Sequence, residues 1–294
     1  MTALASLLVT PFSSNGFMTN ALVAGILVSI ACGIVGTFVV LRGLAFIGDA
    51  LAHGVLPGVA AALLLGLPGM LGAAVGSLAM ILGIGFVTRK SNLSSDTAIG
   101  LLFVGMLALG VAIVSRSRSF SGDLVRILFG EILGISSAEI LGQLVATAVM
   151  ALVAAVFYRP FLLLCFSPEQ AETSGFSARR YHAVMLTMIA VTVVVSFRTV
   201  GTLLVFGMLL APAATAALFS RKIVTMIAAS SAIGIAAVYL GLLSSYQFNL
   251  AAGASITLVA TLIFFLALTA KHVYRRVARL GASSRQASPE GSAA

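Results

Sequence analysis

The chain has 294 residues, of which 60% are hydrophobic and only 9% charged, with a mean hydropathy of +1.15. That composition excludes a soluble globular domain and points to a protein that crosses a lipid bilayer many times. A formal charge of +9 would suggest a nucleic-acid partner in a soluble chain, but here the basic residues sit between and after apolar runs, so no nucleic acid is expected.

Residues 1–17 read as an N-terminal extracytoplasmic segment, lacking the basic start of a cleaved signal and carrying Pro11 within a short apolar run. Apolar runs of bilayer length follow near 18–41, 44–66, 69–87, 97–115, 136–158, 181–197, 199–218, 223–245 and 249–271. The expected fold is an all-α polytopic membrane protein with about nine transmembrane helices, or eight if the break at Arg198 is a bend in one element. Residues 18–272 form the transmembrane domain, and 273–294 a basic, disordered cytoplasmic tail. Cys32 in the first run and Cys165 in a later connection have no metal-motif spacing, and no structural disulfide is expected.

The second run carries its own polar chemistry in Asp49-Ala-Leu-Ala-His53-Gly-Val-Leu-Pro57-Gly58. In a helix, Asp49, His53 and Pro57 recur every four residues and share a face, so a carboxylate and an imidazole project together inside the membrane. A charge there costs several kcal/mol (about +2.5 to +3.5 on insertion scales) unless it faces a cavity, a partner or a passing ion. Pro57 has no N–H to donate to the His53 carbonyl, and Pro57 and Gly58 mark a kink in the candidate pathway. An Asp oxygen with a His nitrogen suits zinc, manganese or iron(II) better than calcium or magnesium, and two such helices in a dimer complete four ligands. Gly54/Gly58, Gly72/Gly76 and Gly130/Gly134 have the GxxxG spacing of close helix contacts.

Further along, Asp96 reads as a helix-start residue without chemistry. Residues 123–134 are too short to cross and read as a re-entrant or surface helix started by Asp123, in which Glu131 is either a cation guide at the outer face or a solvated side chain. In the longest cytoplasmic connection, Ser167-Pro168-Glu169 is a helix start and Gly175 a helix stop, giving a short helix over about 167–175. Ala171 and Gly175 leave it a small-sided face for another protein, although an ordinary connector fits the spacing equally. His182 and His272 read as surface residues. The Lys/Arg distribution places the N-terminus outside and the C-terminus in the cytoplasm. None of Lys90, Lys222 and Lys271 follows a Gly, so the chain has no phosphate-binding loop, and any ATP hydrolysis belongs to a separate subunit.

The stretch Phe38-Val-Val-Leu-Arg-Gly-Leu-Ala-Phe-Ile-Gly-Asp49-Ala-Leu-Ala-His53-Gly-Val-Leu-Pro-Gly58, followed by Asp96-Thr-Ala-Ile-Gly100, Leu128-Phe-Gly130 and Val205 to Ala214 with Pro212, resembles the permease subunit of the bacterial ATP-binding-cassette importers for zinc, manganese and iron, the metal-ion ABC-3 permeases. The resemblance covers nearly the whole chain before the tail. It implies that Asp49 and His53 line a metal pathway at the axis of a homodimer, and that Pro168, Glu169, Ala171 and Gly175 belong to a coupling helix docking on an ATP-binding subunit. It also implies an extracytoplasmic metal-binding protein as donor, a bacterial plasma membrane location, no permanently bound cofactor, and Zn2+ or Mn2+ as cargo, with Fe2+ third. One departure is Leu250-Ala-Ala252-Gly253-Ala254, where many relatives have a Pro shortly before the Gly-Ala pair.

Two other classes fit the residues less well. A secondary, proton-coupled cation carrier would use Asp49 and His53 as a relay, but has no use for a docking helix at 167–175. An intramembrane enzyme needs a catalytic group beyond one Asp and one His, and neither an HExxH nor a nucleophile motif occurs.

Overall fold

Backbone amides find no water inside a bilayer, so each apolar run closes its hydrogen bonds within itself as a helix. The computed structural model describes residues 11–91, 95–115 and 132–286, and no strand occurs among them. Its helices are α1 (Gly16–Leu41), α2 (Ala45–Leu64), α3 (Gly69–Lys90), α4 (Ser95–Val114), α5 (Ser137–Val156), α6 (Tyr158–Phe166), α7 (Pro168–Thr173), α8 (Ala178–Phe219), α9 (Ile223–Phe248) and α10 (Ala252–Gln286). Among the described residues, nine segments are long and apolar enough to cross a membrane: one in each of α1 to α5, α9 and α10, and the two halves Ala178–Phe197 and Val200–Phe219 of α8. The break expected at Arg198 falls at Gly201, whose φ of 77° and ψ of 165° interrupt the helical path. Only glycine adopts that conformation without a steric cost.

Burial sorts the helices into layers. In α1, 72% of the most apolar window is buried, against 22% in α4 and in α5, so α1 is central and the other two are peripheral. Around α1 pack α5, α8 and α9, while α2 packs with α3 and α4. The long α8 touches α1 as well as α2 and α3, and joins the two groups. Leucines on the outer helices, such as Leu78, Leu82, Leu141 and Leu262, remain exposed, as a lipid-facing surface requires. At the end of α8, Lys271 of α10 donates to the Leu218 carbonyl and lies 5.6 Å from the centre of the Phe219 ring.

The α2–α3 contact uses the glycines marked by their spacing. A Cβ on Gly58 would overlap the Gly72 carbonyl, one on Gly72 would overlap the Gly58 carbonyl, and one on Gly76 would lie 2.7 Å from the Gly54 carbonyl oxygen. Gly130 lies outside the described residues, so the third GxxxG pair is not seen.

One helix end differs from expectation, and one turn lies where the family pattern is broken. The disordered tail expected from 273 is instead helical to Gln286, because no Pro or Gly interrupts residues 271–280 and α10 simply continues. At 248–252, where the pattern lacks its proline, α9 is stopped by Asn249 in the left-handed conformation (φ 52°). The turn is then closed by Leu250 N donating to Ser245 O at 3.2 Å and Ser245 Oγ donating to Leu250 O at 2.7 Å. Residues 123–131, including Asp123 and Glu131, and 287–294 lie outside the described residues. Asp96 occupies the first turn of α4, as a helix-start residue should.

Candidate functional site

Asp49 and His53 lie one turn apart on α2, and the helix that presents them is held on two sides by α3 and α4. His53 Nε2 is 3.5 Å from Asp49 Oδ1, with the two side chains 22% and 27% exposed respectively. The pair is thus partly open, while most of α2 around it, including Ala50, Leu51, Ala52 and Val55, is fully enclosed. His53 Nδ1 is buried and has no hydrogen-bond partner. A buried nitrogen without a partner costs free energy, and an imidazole lone pair can be satisfied by a metal ion. Phe103 of α4 packs against the imidazole edge to face, with ring centroids 5.3 Å apart, which fixes the ring plane.

Among the described residues no group of three or more His, Cys, Asp or Glu side chains could hold a metal. The described residues of one chain therefore supply two candidate ligands, half of a tetrahedral shell. Pro57 and Gly58 both lie at contacts between helices. Pro57 is buried, with its nitrogen 3.1 Å from where a Cβ of Gly110 in α4 would stand, and Gly58 meets Gly72 of α3. Their part is to let α2 approach its neighbours, and the helix runs through Pro57 without ending.

The short helix expected over 167–175 is α7. Ser167 caps it by accepting from Gln170 N at 3.3 Å, and Pro168 fills the first turn. It ends at Gly175 with φ +84°, where Phe176 N donates to Ala171 O at 2.9 Å and Gly175 N to Glu172 O at 3.0 Å, a glycine-dependent stop. One expected docking residue is corrected. Ala171 is only 1% exposed and faces its own chain, because the small side chain lets α7 lie flat on α6 and α8. Glu169, Gln170, Glu172, Thr173 and Gly175 remain exposed, so the available face is polar and not small-sided.

Sequence reasoning missed a second cluster where α1, α6 and α8 meet. Arg42, which caps α1, donates through Nη1 to Leu164 O at 2.6 Å, and its Nη2 lies 3.4 Å from His182 Nδ1. His182 is therefore half-buried against Arg42 instead of lying on the surface, whereas His272 is exposed. Burial pushes the neighbouring Cys165 thiol up to about 11, outweighing the opposite pull of the Arg42 charge, so this thiol stays protonated at neutral pH. The sequence signal is slight: a single Arg just before Gly43, with nothing local to name its partners.

Comparison with known proteins agrees with this architecture. The ABC 3 transport family model matches residues 14–271. The manganese transport system membrane protein MntC of Listeria innocua is 41% identical over 252 residues, covering 86% of this chain and 90% of that protein. The chelated iron transport system membrane protein YfeD of Yersinia pestis is 34% identical over 273 residues, covering 93% and 91%. Among solved structures, PsaBC from Streptococcus pneumoniae in complex with Fab superimposes with a TM-score of 0.81 at 36% identity, covering 90% of this chain and 95% of that one. The chain belongs to the ABC 3 transport family and is a multi-pass membrane protein.

Proposed function

We propose that this chain is the membrane-spanning permease of an ATP-driven importer for a divalent transition metal, with manganese as cargo ahead of iron and zinc. The observation that carries this reading is an intramembrane Asp–His pair, half a ligand shell, in a chain whose relatives include manganese and iron transport proteins. A second copy of the chain supplies the other two ligands across a shared axis. The N-terminus lies outside, which places α7 and the basic connections in the cytoplasm, where a separate ATP-binding subunit docks. An extracytoplasmic binding protein delivers the ion to the opposite face. No proton relay is required, and family membership favours the importer over a secondary carrier.

Vesicles containing this chain, its ATP-binding subunit and loaded binding protein are expected to accumulate Mn2+ only when ATP is supplied. Uptake by this chain alone, driven by a proton gradient, would overturn the importer reading. On the docking face, substitution of exposed Thr173 is a cleaner probe than Gly175, whose positive φ strains any side chain. Thr173→Trp is expected to lower recovery of the ATP-binding subunit with the purified chain by about tenfold, as bulk at the centre of a contact does, with the thermal transition unchanged. Full recovery would remove α7 from the interface.

A further inference from the structure

Resting on that reading, we propose that Arg42 and an aromatic row behind it are the fixed connection through which movement of α7 reaches the Asp49–His53 helix. Arg42 is thereby a positioning residue for transport.

One guanidinium joins α1 to two helices that lie more than a hundred residues further along the chain. Leu164 lies in the last turn of α6, where carbonyls have no intrahelical donor, and Arg42 of α1 supplies one with a charge-assisted bond of 2.6 Å. The same group reaches His182 near the start of α8. A fork of fixed donors spanning two partners sets angle as well as distance, which a flexible ammonium does not.

Beside it runs a continuous row of rings. Phe176, immediately past the α7 stop, is 5.6 Å from Tyr181, which is 5.7 Å from Phe157. Phe157 is 6.0 Å from Phe161, and Phe161 is 5.2 Å from Phe38 in the last turn of α1. Phe161 and Phe38 are 0% and 1% exposed, so this end of the row has no room to slip. Close-packed interiors pass on displacement because they have no free volume to absorb it. At its other end α7 is held by buried Ala171, so the helix cannot shift without its neighbours.

The route then has a short last step. Arg42 is followed by a tight turn in which Gly43 takes φ +65° and Leu44 N donates to Val39 O at 2.9 Å, and α2 begins at Ala45. A shift in the end of α1 is therefore handed to the start of α2, about one turn before Asp49. The row and the tie lie away from the metal pair and need make no contact with the ion.

Two measurements test this. On the chain alone, Arg42→Gln is expected to speed amide hydrogen exchange over residues 42–49 by about tenfold, the scale of a lost charged hydrogen bond, with α9 unchanged. Unchanged exchange overturns the tie, whether or not the chain carries metal. In vesicles with the ATP-binding subunit and binding protein, Arg42→Gln and Tyr181→Leu are each expected to lower Mn2+ transported per ATP hydrolysed by about five- to tenfold. Arg42→Lys should recover only part of the ratio, and Tyr181→Phe, which keeps the ring, nearly all of it. A parental ratio in both loss variants overturns the proposal, as does loss of complex assembly in step with the ratio in both of them, which marks mere structural support. Should Arg42→Gln fail to assemble, Tyr181→Leu against Tyr181→Phe decides the matter. Absence of ATP-driven uptake in the parental complex would instead count against the importer reading, leaving the exchange result to judge the tie.

Discussion

Asp49→Asn and His53→Ala are each expected to lower metal uptake by about a hundredfold or more, since loss even of an outer-shell partner of a metal ligand costs ten- to a hundredfold. The reason is ligand count. In the proposed dimer each substitution acts twice, so the proposed shell of two carboxylates and two imidazoles is halved, in a place where bulk water does not freely make up the difference. Geometry adds to this. His53 Nδ1 is already buried without a partner among the described residues, and the imidazole is held by Phe103, so the ring is pre-set for a further ligand. Stability should move little, because removing a partly buried intramembrane carboxylate also removes the cost of desolvating it. The check is Mn2+ uptake in vesicles normalised to assembled complex. Parental uptake by either variant would falsify the pathway assignment, and loss of expression in proportion to loss of uptake would reassign the pair to a structural role.

The second large effect is on folding. Gly58→Val is expected to destabilise the chain at or beyond the upper end of the ~1–3 kcal/mol typical of overpacked cores, read as a lowered thermal transition and loss of monodisperse protein. In most cores a side chain yields to the intruding methyl groups, but here the obstacle is the Gly72 carbonyl. Backbone on one helix cannot move aside without shifting the other, and α2 would be levered away from α3. The contact is reciprocal, because Gly72 meets the Gly58 carbonyl in the same way. Gly105→Ala in α4 is the control: a Cβ there meets nothing within 4 Å, so it should be neutral or stabilise by up to about 1 kcal/mol through helix propensity. A parental transition for Gly58→Val would mean that the two helices do not approach this closely.

Much of the molecule was legible because the bilayer imposes one rule on every apolar run. Run length alone gave the spans, and the structure places α1 at Gly16–Leu41 and α2 at Ala45–Leu64 against readings of 18–41 and 44–66. Local chemistry likewise placed α7, since Ser167, Pro168 and Gly175 act through bonds within a few residues. The four-residue spacing of Asp49 and His53 put them on one face for the same reason, and the 3.5 Å separation follows from helix geometry.

What required the folded chain were the contacts between residues far apart in sequence. Burial of Ala171 depends on where α6 and α8 lie, and no local pattern in Pro168–Thr173 records that. Phe103 meets His53 only because α4 crosses α2, and Arg42 meets Leu164 and His182 across more than a hundred residues. A helical membrane protein with a polar pair in its second span can be read from the residues in order, because hydrophobic length and helical period are properties of neighbours. Which small residues are contacts, which are surface, and that one arginine bonds across three helices emerge only in the folded chain, because those outcomes depend on how helices cross, and an apolar run with few polar marks does not encode its crossing partners locally.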